Sequence, residues 1–110
     1  MEHLEFIWLP TFDRTAEALL DQEQLRALEL DILEAPDRGT VIRGSGGFRK
    51  LRVPAKGRGK SGGGRVIYFH VPTRREVYMI LAYGKGQKAT LSDAELRELR
   101  KLASIIKKGG

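Results

Sequence analysis

Cysteine is absent from this 110-residue chain. That removes a thiol nucleophile, a zinc–thiolate centre and a disulfide framework together. Histidine is almost as scarce, with only His3 and His70, so the imidazole pairs usual in hydrolytic sites have little to draw on. No apolar run approaches the roughly 20 residues of a membrane span, and the opening MEHLEFIWLP is acidic with too short an apolar run for a signal peptide. The expectation is a soluble, cytoplasmic chain with no membrane partner. Acids are missing from one stretch in particular: between residues 38 and 88 Glu76 is the only one, against thirteen bases.

What is present is charge sorted into blocks. Residues 1–37 carry ten acids and two bases (net −8), residues 38–88 net +12, and residues 89–110 five bases and three acids (+2), which sum to +6. The densest part, Phe48 to Tyr68, reads FRKLRVPAKGRGKSGGGRVIY, with seven Lys or Arg, five Gly and no acid. A folding core has no use for such a run. With a pI near 9.9, concentrated positive charge of this kind is the footprint of a nucleic-acid binder, with phosphate as the target.

The length fits one domain, taken as residues 1–108, with residues 54–64 as a flexible Gly/Lys/Arg loop inside it. Glu5 to Leu9 is aromatic and β-branched and Pro10 closes it, which predicts a first strand carrying Trp8 into the core. Phe12, Ala16, Leu19 and Leu20 have helical spacing. Asp21 with Gln24 then forms a capping box for a second helix that buries Leu25, Leu28, Ile32 and Leu33 and ends before Pro36. Phe48–Val53 alternates, so Leu51 and Val53 point into a core while Lys50 and Arg52 share the opposite face. Arg65–Val71 and Val77–Tyr83 predict a hairpin, and Ser92 with Glu95 opens a last helix striped by Leu96, Leu99, Ala103 and Ile106. The order β-α-α-β-β-β-α implies an α+β fold with its helices on one face of a small, mainly antiparallel sheet.

Gly59-Lys60-Ser61 has the look of a P-loop ending, but Pro54 stands where that motif needs glycine, and a strand follows where it needs a helix. The loop instead offers Lys56, Arg58 and Lys60 to phosphates, with Arg49, Lys50 and Arg52 on the strand before it and Arg65 on the one after. His3 and His70 read as structural or solvated groups, and Glu76 as a solvated charge at a turn. If RNA is cleaved here, lysine and arginine do the work: a lysine crowded by cations gives up its proton more readily, and arginine stabilises a phosphorane electrostatically. Tyr83, ahead of Gly84-Lys85-Gly86, ends the last strand, where it either stacks on a splayed base or caps the core. Tyr68 and Tyr78 lie mid-strand and read as packing groups.

RGSGGFRKLRVPAKGRGKSGGGRVIYF (Arg43 to Phe69) and VYMILAYGKGQKATLSDAELRELRKL (Val77 to Leu102) resemble the RelE superfamily of type II toxin–antitoxin toxins, in its HigB-like branch. The N-terminal helices match only in layout. The resemblance implies a microbial-ribonuclease-like fold and a toxin that cuts mRNA in the A site of the bacterial ribosome. The cut is made by attack of the substrate's own 2′-hydroxyl, with no metal or cofactor. It maps catalytic groups onto Lys50, Arg52 and Arg65. Lys85 falls in the stretch that usually holds a further basic group, with Lys88 beyond it as an RNA contact. This chain has Gly86 where a second arginine would stand and no tyrosine in the first turn of the last helix, so Tyr83 with Lys85 substitutes for them. The implied partners are the ribosome, mRNA and a helix-turn-helix, HigA-like antitoxin through which alone the toxin meets operator DNA.

Two other readings compete. One is a non-catalytic basic module that docks on ribosomal or other RNA. The other is the related ParE branch, whose toxins poison DNA gyrase; the retained Lys50, Arg52 and Arg65 and the Gly/Lys-rich loop speak against it.

Overall fold

A computed structural model of the chain describes residues 3–56, 63–84 and 91–109. Strand β1 (Glu5–Trp8) leads through Pro10, at the first position of a helix where its missing N–H costs nothing, into α1 (Pro10–Ala16) and then α2 (Gln22–Glu34). The expected capping box is formed: Gln24 N–H donates to the Asp21 carboxylate at 2.8 Å, and Asp21 N–H donates to the Gln24 side-chain oxygen at 3.0 Å. Ala35, held off helical geometry by Pro36, ends α2. A two-residue strand, β2 (Thr40–Val41), precedes β3 (Arg49–Val53), β4 (Gly64–Val71), β5 (Glu76–Gly84) and α3 (Asp93–Lys107). The sheet order is β1-β5-β4-β3-β2, antiparallel except for the parallel β1–β5 edge.

The sheet is buried on both faces, and the sequence of β4 shows why. Val66 and Tyr68 point one way, into a cluster with Phe12, Leu28 and Ile32 from α1 and α2. Ile67, Phe69 and Val71 point the other way, into a second cluster with Leu99, Ala103 and Ile106 from α3. A strand apolar on alternate faces needs cover on both. The α+β class and the sequence of the expected elements stand, with the two-residue β2 as an added edge strand between α2 and β3, but α3 lies across the sheet from α1 and α2 and not beside them.

A β-bulge sets the geometry of the far end of β5. Tyr68 pairs with Met79 but Ile67 pairs with Leu81, so Ile80 is an extra residue with no partner on β4. Ahead of the bulge Tyr78 faces α3 while Met79 faces α1 and α2; beyond it Leu81 and Tyr83 face α3 while Ala82 faces the helical pair. One inserted residue has shifted the alternation along the strand by one position.

The loop between α2 and β2 is tied to the helical-pair face. The Tyr68 hydroxyl donates to the Pro36 carbonyl at 2.8 Å and accepts from Gly39 N–H at 2.9 Å. Burial pushes the ionisation of that phenol above its usual value near 10. Arg49 donates to the carbonyls of Asp37 and Gly39, and the Asp37 carboxylate lies 3.0 Å from His70 Nδ1.

Candidate functional site

Strand register brings part of the expected cation set together. Lys50 pairs with Ile67 and Arg52 with Arg65 across β3–β4; Ile67 pairs with Leu81 and Arg65 with Tyr83 across β4–β5. Directly paired residues share a face, with β-carbons about 5 Å apart. Two rows therefore run across three strands on the α3 side of the sheet: Lys50–Ile67–Leu81, and beside it Arg52–Arg65–Tyr83. The contacts of α3 lie toward Phe48, Phe69 and Val71, and Arg52 at the other end of the face is exposed while Lys50, Arg65 and Tyr83 are half-buried.

Partners take up several of the other cations. Among the described residues, Arg38, Arg49 and Arg74 are each paired with an acid, and Lys101 lies 3.5 Å from Glu98. Among the described residues the Arg65 side chain donates only to the carbonyl of its neighbour Gly64, at 3.2 Å. The side chains of Lys50 and Arg52 have neither hydrogen bond nor ion pair among the described residues. Like charges placed opposite one another on a sheet repel, so this row is favourable only with an anion against it.

Other expected site residues stand elsewhere. Arg49, adjacent to Lys50 in sequence, points to the opposite face, where it anchors the α2–β2 loop. Lys56 Nζ donates to the Glu17 carbonyl at 2.9 Å and its backbone N–H to that of Leu19, so it fastens the end of β3 to the α1–α2 connection. Neither belongs to the cation row. Arg58, Lys60, Lys85 and Lys88 lie outside the described residues. His70 faces the helical pair with Asp37 as its partner, which leaves the Lys50–Arg65 face with no histidine among the described residues. Glu76 is no solvated charge: it accepts from Arg74 Nε at 3.0 Å and from the Tyr78 hydroxyl at 3.1 Å. This contact holds Arg74 more firmly protonated, and Arg74 in turn caps α3 by donating to the Ile106 carbonyl. The signal for Glu76 was its position two residues from each partner along the chain.

A concavity lies away from the cation row. It is an open groove of about 1030 Å³ on the other side of the molecule, between α1 and α2, with Trp8, Phe12 and Leu25 in its lining and Asp13, Glu17 and Glu29 among its polar groups. Its acidic lining suits no phosphate. Among the described residues no group of three or more His, Asp or Glu is placed to hold a metal ion, and no helix is long and apolar enough to cross a membrane.

Fold and cations together define a small, basic α+β protein with a mixed five-stranded sheet that carries, at one end of one face, a row of cations with no acidic partner among the described residues. The chain belongs to the RelE toxin family: the family's sequence model, described as the RelE toxin of the RelE/RelB toxin–antitoxin system, matches residues 10–109. Its fold is that of E. coli RelE. The free-state structure of a doubly arginine-substituted E. coli RelE aligns with a TM-score of 0.57 at 20% identity, covering 99% of this chain and 100% of that one. A crystal structure of isolated E. coli RelE aligns with a TM-score of 0.56 at 19% identity, covering 91% of this chain and 99% of that one.

Proposed function

We propose that this chain is a HigB-like toxin that cleaves mRNA in the ribosomal A site and so arrests translation. The observation that carries the proposal is the Arg52–Arg65–Tyr83 row with Lys50 beside it: three cations without an acidic partner among the described residues, next to an aromatic ring, on one side of the sheet. A phosphodiester with a splayed base has the matching chemistry.

In the proposed reaction the 2′-hydroxyl attacks the adjacent phosphorus and the bond from phosphorus to the 5′ oxygen breaks. The products are a 2′,3′-cyclic phosphate and a 5′-hydroxyl. Lys50 or Arg52 activates the attacking hydroxyl, Arg65 stabilises the charge on the phosphorane, and Tyr83 stacks on the base. Lys85 serves the leaving oxygen. Among the described residues no histidine stands at this end of the face and Glu76, at its far end, is tied to Arg74 and Tyr78, so the chemistry leans on orientation, worth several kcal/mol of barrier when the substrate is held in line. The ribosome supplies that orientation, and the antitoxin that restrains the toxin in the cell is a helix-turn-helix protein.

The test is cell-free translation of a defined mRNA with 5′ ends mapped by primer extension, run beside Arg65→Ala and a ribosome-free control. Cuts in codon register that need both ribosomes and Arg65 are expected. Arrest without cuts would leave a ribosome-binding inhibitor, and no effect at all would redirect attention to gyrase.

A further inference from the structure

The cations of α3 form a surface separate from the β3–β4 row. Arg97, Arg100, Lys101, Ser104, Lys107 and Lys108 are related through steps of three and four and so share one side of the helix, while Glu95 lies off that side and Glu98 borders it, 3.5 Å from Lys101. The helix's apolar face is spent on the sheet, through Leu99, Ala103 and Ile106. The cationic flank faces the β2–β3 turn. The Arg100 guanidinium donates to the Gly44 carbonyl at 2.7 Å, and Gly46, at φ +90°, lies so close that a β-carbon there would stand 3.0 Å from that of Ala103. This packing sets Arg43, exposed on the same turn, beside the helix.

We infer that this surface, Arg43 with Arg97, Arg100, Lys101 and Lys108, docks the backbone of double-helical RNA. The inference rests on the RNA-directed reading above and extends it to a second, structured RNA, distinct from the single strand at the sheet. Charge complementarity favours it: five cations occupy one flank, and α3 from Arg97 to Lys108 runs for about 16 Å, long enough to meet several phosphates. A duplex is read through its backbone and shape, which suits a surface of long cationic side chains without aromatic groups for base stacking. A membrane would need the apolar face that α3 has already buried, and Ile105 alone is exposed among the large apolar side chains of the helix.

The experiment measures binding of an RNA duplex of about 16 base pairs across a salt series. It uses the full chain carrying Arg65→Ala, so that the proposed cleavage chemistry is disabled. Adding Arg97→Gln, Lys101→Gln and Lys108→Gln should lower the slope of log K against log salt by roughly one unit per lost phosphate contact, up to about three. Circular dichroism should stay the same, because all three side chains are exposed and glutamine is a good helix former. An unchanged slope, or tighter binding to anionic lipid vesicles than to the duplex, would overturn the inference. Failure of the toxin reading would show elsewhere, as wild-type protein that cuts no mRNA on ribosomes.

Discussion

Arg52 and Arg65 are direct cross-strand partners on β3 and β4, two arginines on one sheet face, with Tyr83 of β5 completing the row. A fold selected for stability alone has no reason to set like charges opposite one another. Replacing Arg65 with Gln should therefore stabilise the free protein by about 0.2–1 kcal/mol in urea titration while abolishing cleavage. A variant that is both inactive and less stable would mean that Arg65 is a structural group.

Tyr83 offers a division between stacking and proton transfer. Tyr83→Phe keeps the ring and should retain most of the activity. Tyr83→Ala should lose about 1–3 kcal/mol of base stacking, roughly 5- to 150-fold in kcat/KM. If Phe is as damaged as Ala in single-turnover cleavage, the hydroxyl takes part in the chemistry and stacking is not the role.

Tyr68 makes the fold sensitive to alkali. Its hydroxyl satisfies both Pro36 and Gly39, so Tyr68→Phe should cost about 1–3 kcal/mol at neutral pH. Burial raises the phenol's native pKa above 10.0. Below pH 10 the group is protonated folded and unfolded alike. Above it the unfolded chain releases a proton that the native state keeps, so stability falls as pH rises. The melting temperature of Tyr68→Phe should drop less between pH 9 and 11 (roughly one unit either side of that phenol's ordinary value) than that of the wild type. Parallel declines would remove Tyr68 as the cause.

Gly63 should tolerate no side chain. A β-carbon there would run into the Val53 carbonyl oxygen and stand 2.9 Å from the Pro54 α-carbon, both backbone atoms that cannot turn aside. Gly63→Ala should cost about 2 kcal/mol and disturb the start of β4, one residue pair from Arg65. Differential scanning calorimetry checks the first effect, and a melting point within a degree of wild type would show that the chain rearranges there at no cost.

Much of the fold was legible in the residues because it is written in local periods. Alternation on β3 put Leu51 and Val53 opposite Lys50 and Arg52, and the two capping boxes fixed where α2 and α3 begin. The side of the sheet that α3 covers was not legible, because an apolar stripe announces that a helix is buried without saying against what. The site was readable to a similar degree. Lys50, Arg52 and Arg65 come together through strand register, whereas Arg49 and Lys56, equally basic and adjacent in sequence, are spent on backbone carbonyls and Asp37. A string of cations does not show which of them have partners, since those partners are distant loop carbonyls such as Glu17 and Gly39.

The extra residue at Ile80 works as a shim. Ile80 and Leu81 both lie on the α3 side of the sheet, so a chain without Ile80 would still set Met79 against Tyr68 and Tyr83 against Arg65, now in an unbroken ladder. What it would lose is one buried side chain beneath α3 and the added bend and twist that a bulge gives its strand. The residue trims the angle at which the far end of β5 meets its neighbours without choosing which side chains stand there.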